Sequence, residues 1–390
     1  MRRIRLSMVV LLVAVIGLAA CSSGKEDNSQ SQTQVQPAAS DRLNLKDVCP
    51  ATVVLQTDWD PESEYGVYYH MLGPSPKIDK AKKRITGRLL AEGQDTGIQF
   101  EIRAGGPSIG FEPVTSQMYQ DHAITLGQVS TDEAIRFSAR QPTLAVAAPM
   151  EVSPFMVMWD PATYPGFKTI RDIGQTDTKV LYFQGDTYME YLIASGILHR
   201  SQVNGSYDGK PANFVAATGK VAQAGFATSE PYIYENELPQ WHKPVRYALI
   251  NDTGYPFYPQ ALSIRPADKA KLAPCLRKLV PIVQRAQVDF LANPDKTNAF
   301  VIDLVTRYHD SAWSYDPGLA KYAIDQMRLN FVNDGDDRTL GNFDAGRIQR
   351  MIDIVTPILA GQRQPLKQGL KPSDLYTNEF IDPSIGVTQS

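Results

Sequence analysis

The sequence predicts an α/β protein with two domains and a ligand-binding cleft. Apolar runs of strand character alternate with helical patterns up to about residue 266, which is typical of mainly parallel sheets covered by helices. The folded part, about residues 44–390, is long enough for two domains with separate cores. Polar helix starts follow several strands, and in open parallel sheets such starts collect at the edge where ligands bind.

The N-terminus has the pattern of an export signal. A basic stretch, Met1–Arg5, precedes an apolar run from Met8 to Ala20, which is too short to span a membrane comfortably. We therefore expect residues 1–20 to be a signal peptide. The segment Leu18-Ala19-Ala20-Cys21 resembles a bacterial lipobox, which implies cleavage before Cys21 and lipidation of its thiol. The alternative is an ordinary signal peptide with a chance cysteine.

Residues 21–43 are expected to form a flexible tether, because this stretch is rich in Ser and Gln and lacks apolar periodicity. Acyl chains on Cys21 would hold the protein on the extracytoplasmic face of the cell membrane. The formal net charge of −3 becomes more negative once three arginines leave with the signal peptide, so nucleic acid is not an expected partner. We expect a monomer.

Two cysteines, Cys49 and Cys275, remain in the exported chain. An even number of remaining cysteines in an oxidising compartment predicts a disulfide between them. Two independent buried thiols are the alternative. The disulfide would tie the start of the first strand to a helix far along the chain.

The strands are expected in short apolar runs, at Thr52–Gln56, Ile98–Ile102, Ile124–Val129, Thr143–Ala148, Phe155–Met158, Val180–Phe183, Gln223–Ala227, Arg246–Ile250 and Ala261–Ile264. Helical patterns lie between many of them, for example at Val129–Arg140 and Tyr188–Leu198. The rest of the chain is predicted to be helical, at Leu272–Ala292, Thr297–His309, Pro317–Asn330 and Ala345–Ala360.

Four strands are followed at once by a polar helix start. Asp60-Pro61-Glu62 offers an N-cap carboxylate and a proline at the first helical position, and Ser130–Glu133 has the pattern of a capping box. The other two starts are Gln184–Tyr188 and Thr228–Tyr232. We expect these four turns to face one another across a cleft between two sheets.

Several of these segments, in this order and spacing, resemble substrate-binding proteins of the thiamine-pyrimidine and sulfonate/nitrate type. The residues that carry the resemblance are Trp59 with Pro61 and Gly66, Gly105-Gly106, Val129–Glu133, Phe167–Ile173, Ser229–Tyr232 and Asp252–Tyr255. The resemblance covers roughly residues 50–265. The chain departs from the family at Glu62 and Tyr65, where relatives often carry asparagine and histidine, and it has extra residues at 74–97, which we interpret as a hairpin or flap.

The resemblance implies a type II periplasmic-binding-protein fold, with two lobes, two crossovers and a cleft between the lobes. Lobe 1 would comprise residues 44–157 and 252–390, and lobe 2 residues 158–251. The crossovers are expected near Met150–Val157 and Asp252–Ser263. The resemblance also implies a solute-binding lipoprotein whose partners are the permease and ATPase of an ABC importer, with no cofactor and no catalysis.

The expected ligand-binding residues combine aromatic faces with carboxylates and other polar groups, as a ligand pocket needs. They are Trp59, Glu64, Tyr65, Ser130, Thr131, Gln184, Asp186, Tyr188, Glu230, Tyr232 and Tyr255. This mixture favours a neutral or weakly cationic heterocycle, such as an aminopyrimidine or a flavin-like ring. An alkylsulfonate, nitrate or another anion is the alternative, although the nearby carboxylates would repel it.

Two enzyme hypotheses and a metal-site hypothesis have weaker support from the sequence. Gly106–Gly110 matches the G-x-S-x-G motif of hydrolases, but Ser108 is expected several residues before the next helix, where the motif needs it at the turn. Pyrimidine synthases share the fold but carry a cysteine-rich iron motif, which three cysteines cannot supply. The five histidines show no metal-ligand spacing, and Asn333–Asp337 lacks the closing glutamate of a calcium loop.

Overall fold

Two mixed β-sheets organise the computed structural model of this protein, which describes residues 35–309 and 313–387. The strands in this part of the chain are β1 (Thr52–Gln56), β2 (Lys77–Asp79), β3 (Arg84–Ala91), β4 (Gln94–Arg103), β5 (Leu126–Val129), β6 (Leu144–Ala147), β7 (Phe155–Trp159), β8 (Lys179–Leu181), β9 (Val203–Asn204), β10 (Val221–Phe226), β11 (Arg246–Leu249) and β12 (Ala261–Ile264). The predicted signal peptide, the lipidation site Cys21 and the tether up to residue 34 lie outside these residues.

The first sheet has seven strands in the order β2-β3-β4-β1-β5-β12-β6. Strand β1 is central and pairs in parallel with β4 and β5. Its apolar and β-branched residues, Val53, Val54 and Leu55, are buried, which suits a strand covered on both faces. Strand β12 runs antiparallel between β5 and β6, so its first residue lies at the edge where β5 ends.

The second sheet has five strands in the order β11-β7-β10-β8-β9. Strands β8 and β10 are parallel, whereas β7 runs antiparallel to both β10 and β11. The expectation of mainly parallel sheets is therefore wrong. Strands β7 and β12 are the first strands after the chain passes from one sheet to the other. Each is antiparallel to both of its neighbours in the sheet that it enters.

Helices cover the sheets and make up most of the C-terminal third. They are α1 (Gly66–His70), α2 (Val114–Gln120), α3 (Thr131–Arg136), α4 (Ile170–Gly174), α5 (Thr187–Ala194), α6 (Ala212–Ala216), α7 (Glu230–Tyr232), α8 (Lys269–Ala292), α9 (Asp295–Tyr308), α10 (Pro317–Gln326) and α11 (Ala345–Gly361). Helix α10 continues as a π-helix over Met327–Phe331. Among the described residues, no helix combines the length and apolar character that a bilayer span needs.

The chain passes between the sheets twice, from β6 to β7 and from β11 to β12. These passages are the two crossovers expected near Met150–Val157 and Asp252–Ser263. One apolar core packs α8 and α9 against the first sheet, and a second core combines residues of both sheets with α11. The exact residue limits of the two lobes stay a prediction.

The disulfide between Cys49 and Cys275 is confirmed. It joins the segment before β1 to helix α8, and both residues belong to the core of the first sheet. The prediction that the tether extends to residue 43, in contrast, includes residues that are part of the folded structure. The Ala38 amide donates to the Asp95 carbonyl at 2.9 Å, and the apolar side chain of Leu43 is buried in the core. Residues 35–43 thus pack on the edge of the first sheet.

Residues 74–97 form an antiparallel extension of the first sheet, as the hairpin interpretation predicts. Strand β2 pairs with β3, and β3 pairs with β4. The turn between β3 and β4 contains Gly93, whose φ of +76° is accessible to glycine at little cost. The extension lies at the sheet edge opposite β6.

Candidate functional site

A cavity of about 380 Å³ lies between the two sheets. On the side of the first sheet, most lining residues come just after β1 and β5 or just before β12 in the chain. On the side of the second sheet, most of them come just after β8 and β10. Carboxyl side chains and aromatic rings dominate the lining: Asp58, Glu62, Glu112, Asp132, Glu133, Asp186 and Glu230, together with Trp59, Tyr65, Phe111, Phe137, Phe155, Phe183, Tyr188, Phe226, Phe257 and Trp313. The cavity is of the size expected for a small-molecule site.

Asp58 is held at the end of β1 by neutral donors. Its Oδ1 accepts from the Tyr65 hydroxyl at 2.9 Å and from Gln260 Nε2 at 3.2 Å. Gln260 Nε2 also lies 2.9 Å from the Tyr65 hydroxyl oxygen, so the three side chains form one network. The Gln260 Oε1 atom is buried and has no hydrogen-bond partner among the described residues. It leaves an acceptor on the cavity wall.

Glu230 is held in the same way on the second sheet. Its Oε1 accepts from the Tyr207 hydroxyl at 2.8 Å, and its Oε2 accepts from the Phe226 amide at 2.7 Å. The neighbouring Ser229 lines the cavity, and its buried hydroxyl has no hydrogen-bond partner in the described chain. Short strand-to-helix turns place both residues at the end of β10.

A second pair of carboxylates follows β5 and β8. Asp132 Oδ2 accepts from the Tyr255 hydroxyl at 3.1 Å, and Asp186 Oδ2 accepts from the Tyr188 hydroxyl at 2.7 Å. Four cavity carboxylates, at positions 58, 132, 186 and 230, therefore each have a tyrosine as donor. A tyrosine hydroxyl supports a carboxylate without neutralising its charge.

The enclosed cleft shifts every one of these carboxyls toward its protonated form. Loss of hydration raises the pKa of Asp58 and Asp132 to about 6 and that of Asp186 to about 7, although tyrosine donors partly oppose the shift. Burial, and then the charges of Glu64, Asp58 and Glu230, raise the pKa of Glu62 well above its usual value. The hydrogen-bond donors of the cleft therefore do not fully offset the loss of hydration of its carboxyl groups.

Arg136 is the one basic residue in the described lining. Its guanidinium donates a hydrogen bond to the Gly185 carbonyl, across the cleft from α3 to the loop after β8. No ion pair joins Arg136 to a carboxylate in the described chain, yet its charge lowers the pKa of Asp132 and Asp186 to a small extent. Arg136 bridges the two sides of the cleft and does not neutralise its acidic groups.

Aromatic rings form two walls of the cavity. Trp59 contacts Phe183 edge-on, with ring centroids 5.5 Å apart, and Trp313 and Phe111 complete this wall. Phe155 forms the centre of the other wall, with its ring centroid 4.7 Å from that of Phe226 and 5.4 Å from that of Phe257. Such walls offer stacking surfaces to a flat ligand and negative ring faces to a cation.

Seven of the eleven predicted ligand-binding residues line the cavity: Trp59, Tyr65, Ser130, Gln184, Asp186, Tyr188 and Glu230. The structure places the other four outside the lining. Thr131 is buried and accepts a hydrogen bond from the Tyr258 amide, while Tyr255 is buried behind Asp132. Glu64 is buried next to α1, and the ring of Tyr232 packs on Tyr322.

The predicted helix caps differ from those observed. Ser130 is at the N-cap of α3, but its side chain does not cap the helix, and Glu133 Oε1 instead accepts from the Thr115 amide at 3.2 Å. The first helical turn after β1 begins at Ser63 with Glu62 at its N-cap, so Asp60 and Pro61 lie before it. Glu62 and Glu133 are thereby free to face the cavity.

The prediction missed Asp58, Gln260, Trp313 and all six phenylalanines of the lining. Asp58 was detectable, because it directly precedes Trp59 at the end of β1. Gln260 directly precedes β12, and it could be predicted only if β12 was known to be antiparallel to β5. The start of an antiparallel strand lies at the same sheet edge as the end of its neighbour. Trp313 carried no sequence signal, because residues 313–316, just before α10, belong to no helix or strand.

The residues of the weaker hypotheses show no assembled site. Ser108 is exposed on a 3₁₀ turn, Gly106–Ile109, and the next helix begins only at Val114. Within the described ranges, no group of three or more His, Cys, Asp or Glu side chains is arranged to hold a metal ion.

Comparison with known proteins identifies the fold. No protein-family profile matches the sequence, and none of the curated proteins does. Among solved structures, a protein from Bordetella bronchiseptica RB50 is 14% identical, with a TM-score of 0.52 over 85% of this chain and 96% of that one. A periplasmic sulphonate-binding protein matches over a similar share of this chain. This chain has the fold of the periplasmic binding proteins.

Two further solved structures agree with this fold. The periplasmic aliphatic sulphonate binding protein of Escherichia coli is 15% identical, with a TM-score of 0.50 over 83% of this chain and 94% of that one. The alkanesulfonate-binding protein of Xanthomonas axonopodis pv. citri is 14% identical, with a TM-score of 0.51 over 84% of this chain and 99% of that one. At such identities the likeness concerns the fold, and the ligand must be inferred from the cleft.

Proposed function

We propose that this protein is the extracytoplasmic solute-binding component of an ABC importer and that it captures a small aromatic solute with a positive charge or amino groups. An aminopyrimidine or a thiamine-like ring is the nearest chemical class. The protein itself would catalyse no reaction and need no cofactor. Its permease and ATPase partners would be separate chains.

The observation that carries this proposal is the acidic, aromatic lining of the cavity. Seven carboxyl residues line it, and Arg136, the one basic residue described there, donates to a backbone carbonyl. Buried carboxylates without a cationic partner are costly unless a ligand supplies the missing charge or hydrogen-bond donors. Aromatic walls add stacking and cation–π attraction for the same ligand.

The alternative within the same class is an alkylsulfonate, nitrate or another small anion. Two structures with a similar fold are named for sulfonate binding, and helix starts at the strand ends offer backbone N–H groups. An anion in this cavity would lie beside Asp58, Asp132 and Asp186, and repulsion at close range would oppose binding. The lining therefore favours a cation.

The mode of action follows from the position of the cavity between the two sheets. Ligand contacts with both sides would stabilise a closed arrangement, and the two crossovers would act as the hinge. Lipidation at Cys21 would keep the protein at the membrane, close to the permease, after removal of residues 1–20. The predicted tether that follows Cys21 would let the protein reach its partners.

A thermal-shift screen tests the proposal. The purified protein is melted with aminopyrimidines, thiamine and flavins, and separately with alkylsulfonates, nitrate and bicarbonate. A ligand at 100 times its dissociation constant stabilises the folded state by about 2.7 kcal/mol, which raises the melting temperature by several degrees. We expect the shift with amino-bearing or cationic rings.

A matched pair of variants distinguishes the cavity from the surface. Glu62→Gln removes one carboxyl group from the lining, and we expect it to lower the affinity for the active compound about tenfold. Asp208→Asn removes an exposed charge outside the lining and serves as the control. Shifts with anions alone would contradict the cationic ligand, and no shift with any compound would contradict solute binding of this class.

A further inference from the structure

Gln260 has a backbone conformation that residues other than glycine rarely adopt. Its φ is +49°, in the left-handed region, where the β-carbon comes close to the carbonyl oxygen of the next peptide. The backbone amide of Gln260 donates to Ser130 Oγ at 3.4 Å, and β12 begins at the next residue. Strained residues of this kind concentrate at binding sites, where the surrounding structure holds them in place. The conformation therefore points to a role for the Gln260 side chain, which is buried and lines the cavity.

The orientation of the Gln260 side-chain amide is fixed by two neighbours that both require a donor. The Tyr65 hydroxyl gives its only proton to Asp58 Oδ1, at 2.9 Å, so the Tyr65 oxygen can only accept. The Asp58 carboxylate also accepts only. Gln260 Nε2 lies 2.9 Å from the Tyr65 oxygen and 3.2 Å from Asp58 Oδ1, so each of its two hydrogens has a partner. A flipped amide would place Oε1 against two oxygen atoms with no hydrogen between them.

This fixed orientation leaves Gln260 Oε1 as an acceptor without a donor. Gln260 is 2% exposed, and its buried Oε1 atom has no hydrogen-bond partner in the described chain. A buried acceptor without a donor is costly, and rotation of the amide would only transfer the cost to Asp58 and Tyr65. A solute in the cavity that carries an N–H group removes this cost.

Gln260 discriminates between solutes more strictly than Ser229, whose buried hydroxyl also has no partner among the described residues. A hydroxyl both donates and accepts, so Ser229 Oγ can pair with an N–H group, a ring nitrogen or a carbonyl of a solute. An amide oxygen accepts only. Gln260 Oε1 therefore selects for a donor, whereas Ser229 does not distinguish a donor from an acceptor.

The aromatic walls of the cavity determine which kind of donor fits. Phe155 and Phe226 belong to one wall, and Trp59 and Phe183 belong to the other. A flat ring that stacks between aromatic walls presents only its edge to polar side chains. A primary amino group on such a ring directs its N–H bonds outward in the plane of the ring, whereas a quaternary ammonium group has no N–H to offer. The amino substituent is the group that matches Gln260 Oε1.

We propose that Gln260 determines the specificity of the cavity, with its Oε1 atom accepting a hydrogen bond from a primary amino group on the edge of a flat heterocyclic solute. The solute is thus recognised by an N–H donor and not by positive charge alone. Analogues with a methyl or carbonyl group in place of the amino group are rejected. This inference rests on the proposed function, because it names the group by which the same cavity recognises its solute.

Calorimetric titration with two matched pyrimidines tests the inference. The probes 4-amino-2-methylpyrimidine and 2,4-dimethylpyrimidine have the same number of heavy atoms, but only the first has an amino group. At pH 8.5 both rings are neutral, and Asp58 is ionised although burial raises its pKa to about 6. Phenyltrimethylammonium, an aromatic cation without N–H groups, is titrated in parallel. We expect the amino compound to bind at least tenfold more tightly than the methyl compound, because the latter leaves Gln260 Oε1 unpaired.

A matched pair of variants assigns this preference to Gln260. Gln260→Met keeps the length of the side chain but removes its amide, and it should bring the ratio of the two affinities close to one. Gln175→Met makes the same change at an exposed residue after α4, outside the lining, and should leave the ratio unchanged. A ratio in Gln260→Met equal to that of the unmodified protein would overturn the role of Gln260.

Gln260→Asn is a second variant that does not depend on the stability of the first. Asparagine adopts a positive φ more readily than most residues, so this variant suits the local backbone. Its side chain is one methylene shorter, which withdraws the acceptor from the solute, and the ratio should again fall close to one. Circular dichroism and the melting curve of each variant check that it folds.

The remaining outcomes separate this inference from the proposed function. Equal or higher affinity of the unmodified protein for the methyl compound would overturn recognition through the amino group. Binding of phenyltrimethylammonium alone would also overturn it, while an aromatic cation would remain the solute as proposed above. No binding of any of the three probes at millimolar concentration would overturn the inference, and the wider thermal-shift screen would still decide the proposed function.

Discussion

The indole of Trp59 lies against Gly209, a contact that joins the end of β1 to the loop between β9 and α6. A Cβ atom on Gly209 would come within 2.9 Å of Trp59 Cζ2 and 3.0 Å of Cη2. On another side of the indole, a Cβ on Gly106 would come within 2.6 Å of Cε3. The absence of side chains at both glycines lets Trp59 fit between them as part of the cavity wall.

Gly209→Ala is expected to weaken ligand binding at least tenfold, because the methyl group would force Trp59 or the loop away from the closed arrangement. The φ of Gly209, +83°, adds a stability loss of about 1 kcal/mol. Gly196→Ala is the matched control: its φ is +67°, but no atom lies within 4 Å of the added Cβ. Calorimetry with the most active compound of the screen measures both, and similar losses in the two variants would rule out the steric explanation.

Tyr188→Phe is expected to weaken the binding of a cation at pH 7 about tenfold and less at pH 8.5. The Tyr188 hydroxyl donates to Asp186 at 2.7 Å and lowers a pKa that burial raises to about 7. Without this donor the pKa of Asp186 rises further, so more of the carboxyl is protonated at pH 7. Titrations at both pH values measure the effect.

The control for this variant is Tyr164→Phe, which removes an exposed hydroxyl that donates to the Lys220 carbonyl. We expect no change in affinity from this control at either pH. A loss in Tyr188→Phe of the same size at pH 7 and pH 8.5 would indicate lost packing and not altered protonation.

The ligand-free protein should lose stability as the pH rises from about 4.5 to about 7. Folding raises the pKa of Asp58 and Asp132 to about 6 and that of Glu133 and Asp186 to about 7, mainly through loss of hydration. In this window the unfolded chain releases protons that the folded chain retains, so the free energy of unfolding falls with pH. Carboxyls with lowered pKa values, such as Asp172 and Asp382, affect the pH dependence of stability at lower pH.

Melting curves between pH 4.5 and pH 8 measure this dependence, and we expect the melting temperature to fall by at least about 5 °C. Asp186→Asn should make the decline shallower, and Asp208→Asn should not. A saturating cationic ligand should reduce or reverse the decline, because it binds the ionised carboxyls. A melting temperature that is constant or rises over this range without ligand would contradict the raised pKa values.

Local sequence patterns were sufficient for nine of the twelve described strands and for the cleft edge, but not for β9 or for the complete site. The β-branched run before Gln56 and the polar start after it locate β1 and Trp59, because these signals lie next to each other in sequence. Gln260 reaches the cavity because β12 runs antiparallel to β5, and Trp313 reaches it through a hydrogen bond to the Pro61 carbonyl. Both contacts are made with residues far away in sequence.

Contacts with distant parts of the chain also decide which residues of a single turn face the cavity. Thr131 and Ser130 are neighbours after β5, yet Ser130 lines the cavity and Thr131 is buried against the Tyr258 backbone. The direction of a side chain at a helix start depends on the segment packed against it, here the one that leads into β12. A sequence pattern therefore predicts which turn forms the site but not which of its residues face the ligand.

Removal of the disulfide should lower stability without changing ligand affinity. Cys49 and Cys275 are 226 residues apart in sequence, and both pack in the core of the first sheet. A disulfide that closes a long loop stabilises a protein mainly by restricting the unfolded chain, typically by about 2–4 kcal/mol. Because both ends belong to the same side of the cleft, the disulfide does not restrain closure. Urea unfolding of Cys49→Ala/Cys275→Ala should show this loss, and calorimetry should give an unchanged dissociation constant. A weaker affinity with unchanged stability would mean that the disulfide acts on the cleft and not on the unfolded chain.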